Sequence, residues 1–189
     1  MITAVLEKKY TVEEYFDLEK NSDIRHEFYF GKLLEMPGES KKANDIANNI
    51  LESWRKPLKK KGYNLYSHDV KAEVKSNGIY RYPDLVVTPE SDDNDDYIVT
   101  SPAILVEVAS ENSWKRDTST KLKEYTNLPS LRYYMIVSQE EMFVQLCVRI
   151  NQEWTFTFYE MPEETVLLPH YDLKITVAEI YEFIKFGEA

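Results

Sequence analysis

The feature that most constrains the fold of this chain is a strand, a helix and a second strand in direct succession. Ala103 to Val108 is an apolar run of buried-strand length. Ser113 to Leu128 is polar, with Leu122, Tyr125 and Leu128 at helical spacing, and Pro129 closes it before the strand Leu131 to Val137. Two strands joined by a helix of this length form a parallel crossover, normally right-handed. The chain is therefore expected to be α/β or α+β, built on one mixed sheet.

The flanking segments supply antiparallel strands and further helices. Thr11-Val12-Glu13-Glu14 fits a capping box opening a short helix to about Glu19. His26 to Phe30 and Leu33 to Met36 read as a hairpin turning at Gly31-Lys32, ended by Pro37-Gly38. From Ser40 to Lys61, Ile46, Ile50, Leu51, Trp54 and Leu58 form the stripe of an amphipathic helix, which Pro57 is expected to kink. Asn64 to Val74 and Ile79 to Val87 read as antiparallel strands meeting at Asn77-Gly78. Met142 to Ile150 and Trp154 to Tyr159 pair across Asn151-Gln152, and Thr176-Val177-Ala178-Glu179 opens a closing helix containing Ile180, Phe183 and Ile184. With 189 residues, and neither an internal repeat nor a flexible linker, residues 1–189 read as a single domain.

Composition narrows the function. The net charge of −10 argues against a broad basic surface, so any nucleic-acid contact must be local. The longest apolar stretches fall far short of the ~20 residues of a membrane span, and Met1 to Tyr10 lacks the shape of a secretory leader. The single Cys147 can form neither an internal disulfide nor a thiolate zinc cluster. A cytoplasmic protein without membrane contact is the expectation. Asp92 to Asp96 lacks the Gly and the distal Glu of a calcium loop and reads as a solvated turn.

Two acids stand where apolar residues belong. Asp84 follows Pro83 inside strand-forming sequence, and Glu107 interrupts the run Ile104 to Val108. Burying either without a partner is costly. On adjacent strands the two carboxylates repel unless a divalent cation or a lysine lies between them, and an all-oxygen site favours Mg2+ or Mn2+ over Zn2+. Asp117, Lys121 and Tyr125 are spaced four apart and share one face of the crossover helix, whereas Lys123 points about 200° away from Lys121. Asp84, Glu107 and Lys121 together have the parts for metal-assisted phosphodiester hydrolysis. The alternative is that Asp84 caps a turn, Glu107 pairs with any lysine, and Asp117 with Lys121 is an ordinary surface pair.

The segments Pro83 to Val87, Pro102 to Ser110, and Asp117, Lys121, Tyr125 and Leu128 to Val137, with Glu27, Gly31, Met36 and Pro37 upstream, resemble the Uma-two family of bacterial restriction-endonuclease-like proteins, within the PD-(D/E)xK nuclease superfamily. The resemblance implies a mixed β-sheet flanked by helices, with additional antiparallel hairpins. It implies Asp84 and Glu107 as metal ligands, Lys121 as the catalytic lysine, and Mg2+ or Mn2+ as cofactor. Glu27, Asp117 and Tyr125 are supporting residues, Glu27 as a further ligand, a group behind the ligands or a hairpin surface charge. DNA as the substrate comes from the resemblance alone. Two departures stand out: Ala109 replaces the lysine two residues after the superfamily's Glu, and Ala43 occupies the place of a His common in the family.

Other candidates are weaker. His26, His68 and His170 are scattered and lack zinc-ligand spacing, so surface or half-buried roles are expected. The basic run Arg55, Lys56, Lys59, Lys60 and Lys61 reads as a solvated helix end or a phosphate-contacting edge. The aromatic strand Trp154 to Tyr159 suits a core or a homodimer interface. Against the nuclease stand two further classes, a nuclease-like scaffold that binds nucleic acid or a protein partner without cleaving, and a self-associating interaction module.

Overall fold

The computed structural model describes residues 8–187. The beginning of the chain, where no secretory leader is expected, lies in part outside the described residues. In chain order the elements are α1 (Val12–Asn21), β1 (His26–Tyr29), β2 (Lys32–Glu35), α2 (Lys41–Lys60), β3 (Tyr63–Ser67), β4 (Lys71–Lys75), β5 (Ile79–Arg81), β6 (Leu85–Pro89), β7 (Ile98–Val99) and β8 (Ile104–Ala109). There follow α3 (Glu111–Lys115), α4 (Leu122–Tyr125), β9 (Tyr133–Ser138), β10 (Val144–Ile150), β11 (Glu153–Tyr159), β12 (Thr165–Leu168), β13 (Leu173–Thr176) and α5 (Val177–Ile180).

The mixed sheet is six-stranded, in the order β11-β10-β9-β8-β6-β3. Its one parallel pair is β8 with β9, the expected crossover, with Ile104 opposite Tyr133 and Ala109 opposite Ser138. A second sheet of five strands, β2-β1-β5-β4-β7, and a small β12-β13 pair complete the β-structure of the described residues. The expectation of one sheet is thus corrected to a main mixed sheet with a second one beside it.

The second sheet arises because the long hairpin 63–89 is broken at the same level in both arms. Its near half pairs β4 with β5 across Asn77-Gly78, and its far half pairs β3 with β6 in the main sheet. One break is at His68, whose φ of 60° turns the chain sharply, and the other is at Tyr82-Pro83-Asp84, where Pro83 lacks a ladder donor. The backbone N–H of His68 donates to the carbonyl oxygen of Asp84 at 3.0 Å, tying the two corners together. Asp84 therefore lies at a break between strands rather than inside one.

One face of the main sheet packs on α2, which buries Ile46, Ile50, Trp54 and Leu58 against Leu85, Val87, Ile104, Val106, Met135 and Val137. At about 1.5–3 kcal/mol for each large apolar side chain buried, this face supplies much of the driving force. The helix continues through Pro57 as a single element. The opposite face carries Val86, Leu105, Tyr134 and Ile136 beneath Tyr125 and Leu128 and against Ala72, Val74 and Ile79 of the second sheet.

Three local expectations need correcting. The β1-β2 turn is at Phe30-Gly31, with φ of 45° and 89°, one residue earlier than expected, because a two-residue turn of this hand needs both central residues at positive φ. The crossover helix is not continuous α-helix: α3 and α4 flank a π-helical stretch from Arg116 to Lys121. The closing helix stops at Ile180, and Phe183 sits exposed at φ 62° instead of continuing it. The capping boxes at Thr11 and Thr176 form as the sequence implies. Among the described residues no helix is long and apolar enough to cross a membrane.

Candidate active site

The site forms on the face of the main sheet that the crossover helix covers. In the β6-β8 ladder Leu85 is opposite Val106 and Val86 is opposite Leu105. Continuing that register by one step sets Asp84 opposite Glu107. Because side chains alternate along a strand, Asp84, Val86, Leu105, Glu107 and Ala109 share one face, and both acids are buried. The carboxylate Oδ2 of Asp84 accepts the backbone N–H of Val108 at 2.5 Å, joining the corner before β6 to the end of β8.

Above Glu107 lies the crossover helix. Lys121 Nζ is 2.8 Å from Glu107 Oε2, 3.3 Å from Asp117 Oδ1 and 3.6 Å from Glu27 Oε1, and it is 2% exposed. The Tyr125 hydroxyl donates to Glu107 Oε1 at 2.7 Å. The π-helical stretch contributes both buried charged residues, Asp117 and Lys121, a local widening often found at functional positions. Glu27 enters from β1, and the resemblance's candidates Glu27, Glu107, Asp117, Lys121 and Tyr125 thus meet in one buried cluster, with Asp84 at the corner just before β6.

Sequence reasoning missed Arg81. This 2% exposed guanidinium donates to Glu27 Oε2 at 2.8 Å and grips Glu124 with two bonds of 2.9 and 2.8 Å. Arg116 lies 3.8 Å from Glu27 and 3.9 Å from Asp117. The signal was available, since Arg81 interrupts Ile79 to Tyr82 much as Glu107 interrupts its own strand.

Asp84 has other neighbours as well. Glu39, just before the α2 N-cap Ser40, and His68, at the strand corner, each place a ligand atom within a group whose members, Asp84 included, all lie within 4.8 Å of one another. His68 Nδ1 is 3.1 Å from Glu39 Oε2. His68 is half-buried, as expected, but it is not remote from the site. His26 instead contacts Glu19. Nothing in the spacing of residues 39, 68 and 84 could have joined them, because the corner of the long hairpin is a tertiary feature.

The charges perturb one another in directions that follow from burial. Burial, then the negative charge of Glu107 and a hydrogen bond with Glu39, holds the Asp84 carboxyl well above the usual range. Burial also pushes Glu107 up to about 7, although Lys121 opposes the rise. Burial would push Lys121 down, yet Glu107, Glu27 and Asp117 outweigh it and hold the amine above the ordinary lysine range. Glu27 is raised by burial but lowered more by Lys121, Arg81 and Arg116, and ends below its ordinary value.

The donor chemistry fits a divalent cation. The carboxyl groups of Glu107, Glu27, Asp117 and Glu124 face Lys121, Arg81 and Arg116, and Asp84 and Glu39 add two more beside His68, so the donors gathered here are mostly carboxyl oxygens. The buried oxygens Glu27 Oε1 and Asp117 Oδ1 make no hydrogen bond but are both ion-paired with the Lys121 ammonium. Oxygen-rich sets of this kind suit Mg2+ or Mn2+.

Comparison with known proteins bears on the family and the fold. The family model described as "Uma2: Putative restriction endonuclease" matches residues 12–178. Two uncharacterized proteins of Synechocystis sp. (strain ATCC 27184 / PCC 6803 / Kazusa) are similar: sll1609 is 25% identical over 83% of this chain and 91% of its own length, and slr1290 is 25% identical over 94% of each. Among solved structures, a putative nuclease belonging to DUF820 from Anabaena variabilis ATCC 29413 superposes with a TM-score of 0.76 at 14% identity, over 93% of this chain and 99% of that one. That likeness establishes a shared nuclease-like fold.

Proposed function

Because the chain belongs to the Uma2 family, we propose that it is a metal-dependent endonuclease of the PD-(D/E)xK type that hydrolyses phosphodiester bonds in DNA. Asp84 and Glu107 would hold the Mg2+ or Mn2+, and Lys121 would be the catalytic cation. The observation that carries this reading is the 2.8 Å contact of Lys121 with Glu107, on the sheet face where Asp84 stands opposite.

When bound, Mg2+ or Mn2+ supplies Lewis acidity toward a phosphate oxygen and lowers the pKa of a water. The residues define the rest. Lys121, held protonated by its carboxylates, serves as a fixed positive charge for the charge that builds up on the phosphate rather than as a base. Its reach is set by Asp117 and Glu27, which pull the same amine from two other directions. Tyr125 fixes one oxygen of Glu107 and so orients the other. Arg81 neutralises Glu27 and locks Glu124 beside it, which keeps the cluster closed from behind. Ala109 in place of the superfamily's lysine is consistent with this role, since Lys121 brings an ammonium to the same carboxylate from the helix.

We place the activity in the cytoplasm, in one domain spanning the whole chain, with contacts to nucleic acid confined to local basic groups because of the net charge of −10. We also place it in a homodimer: β11 is an edge strand that exposes Phe156 and Phe158. The test is cleavage of plasmid and linear DNA with and without Mg2+. Wild-type protein is expected to cut, and Asp84→Ala, with an unchanged circular-dichroism spectrum, is expected to lose both cleavage and Mg2+ binding. Equal cleavage by the two proteins would overturn the assignment. DNA binding without cleavage under every metal condition would favour the non-cleaving scaffold.

A further inference from the structure

Asp84 lies between two sets of partners, and the nuclease reading uses only one of them. On the other side the side chains of Glu39, His68 and Asp84 come from three separate elements, yet their ligand atoms all lie within 4.8 Å of one another. Metal–ligand bonds of about 2.0–2.2 Å leave ligand atoms up to about 4.4 Å apart. Three ligand atoms on one ion stand about 3–4 Å from one another at such bond lengths, so closing this group takes shifts of up to about an ångström. We propose that Glu39, His68 and Asp84 form a second cation position, sharing Asp84 with the first, that takes a first-row transition-metal dication of the Mn2+ and Zn2+ class rather than Mg2+. This goes beyond the nuclease reading, since it requires neither Glu107 nor cleavage.

Four observations converge on it. The ring of His68 is held from both sides, by Glu39 Oε2 at 3.1 Å from Nδ1 and by the Asn44 side-chain amide at 3.2 Å from Nε2. A histidine that ligates through one nitrogen is oriented by a partner on the other, and Asn44 can serve as that partner through its amide oxygen after an amide flip. Asn48 Nδ2 donates to the Asn44 oxygen at 2.8 Å, so the Asn48 amide has to turn together with that of Asn44. Secondly, His68 sits at φ 60°, a left-handed conformation uncommon outside glycine, and its N–H is tied to the Asp84 carbonyl oxygen. The corner thereby fixes the imidazole relative to the carboxylate it joins.

Thirdly, Asp84 is 8% exposed and His68 half-buried, so only Glu39 of the three stands at the surface. Fourthly, Glu39, His68 and Asn44 line a cleft of about 410 Å³, so two of the three ligands are reached from it. Arg25 at its rim is held 2.6 Å from Asp69, which offsets its charge. An imidazole nitrogen among the ligands selects against Mg2+, which prefers oxygen and keeps its waters, and toward Mn2+ or Zn2+.

The test is Mn2+ binding to the full chain in excess Mg2+, followed by spin-echo modulation, which registers a nitrogen directly bonded to the ion. The chain has only three histidines, so the assignment is tractable. Wild type is expected to show imidazole nitrogen coupling. His68→Asn, which suits the positive φ, should lose the coupling and at least tenfold in Mn2+ affinity, and Glu39→Gln should lose at least tenfold in affinity. A His26→Gln/His170→Gln variant should retain the coupling, and so should Glu107→Gln, which removes the first site. Mn2+ bound to wild type without nitrogen coupling, or coupling that survives His68→Asn, overturns this inference and leaves the nuclease reading standing. Coupling lost in Glu107→Gln overturns it too, and so does the absence of bound Mn2+, which leaves the nuclease reading to the cleavage assay.

Discussion

Replacing Lys121 with methionine keeps the length of the side chain and removes its charge, and the consequences follow from the contacts. The ammonium is the nearest positive group to Glu107 at 2.8 Å, and it also faces Asp117 and Glu27 within 3.6 Å. Removing one partner of a buried ion pair costs about 3–5 kcal/mol, because the remaining charge stays desolvated. In a chain of this length each kcal/mol lowers Tm by about 2–4 °C, so a fall of about 6–20 °C is expected. The assay is scanning calorimetry in EDTA at pH 8.5, above the value of about 7 that Glu107 has with Lys121 beside it; without the ammonium Glu107 is raised further, and proton uptake in the variant sets the loss toward the lower end of this range. Repeated at pH 6, where Glu107 takes up a proton, the difference should shrink. Adding Glu107→Gln to Lys121→Met removes the stranded anion and should restore at least half of the loss. A Tm for Lys121→Met within about 2 °C of wild type at pH 8.5 would show that the ammonium does not hold these carboxylates together, and the catalytic role built on it would fall as well.

Three further outcomes are expected. Mg2+ at a hundredfold excess over its Kd should stabilise the protein by about 2.7 kcal/mol, a rise of about 5–11 °C, and Asp84→Asn should abolish the rise; an equal rise in the variant would place the ion elsewhere. Glu27 lies below its ordinary value, because its cations outweigh burial, so its contribution to stability is present above about pH 4.5 and is lost as the pH falls through its folded-state value. The stability gap between wild type and Glu27→Gln in urea unfolding should therefore be widest near neutral pH and narrow on acidification; a gap independent of pH would contradict this. Gly31 has φ 89° in the β1-β2 turn, so Gly31→Ala should cost about 1–2 kcal/mol, read as a Tm lowered by about 2–8 °C, and an unchanged Tm would mean the turn adopts another form.

The sequence by itself determined the parts whose causes are local. The parallel crossover from Ala103 to Val137, the α2 stripe and the capping boxes at Thr11 and Thr176 depend on periodicity and short-range hydrogen bonding, and all of them form. Asp84 and Glu107 were legible for a related reason: a charge inside an apolar strand demands a partner wherever the strand ends up. Tyr125 and Lys121 followed from the four-residue spacing, although the helix between Arg116 and Lys121 is wound more widely than that spacing assumes.

Tertiary structure decided what those charges meet. The division of one long hairpin between two sheets, at His68 and at Tyr82-Pro83-Asp84, depends on which sheet each half finds more apolar surface to cover, and no local pattern encodes that choice. That division brings His68 and Glu39 to Asp84, and it sends Arg81 to Glu27 and Glu124 from a strand the sequence had assigned to the same sheet as Asp84. Long-range electrostatics acts on distances through space, and those distances exist only once the second sheet has closed against the first.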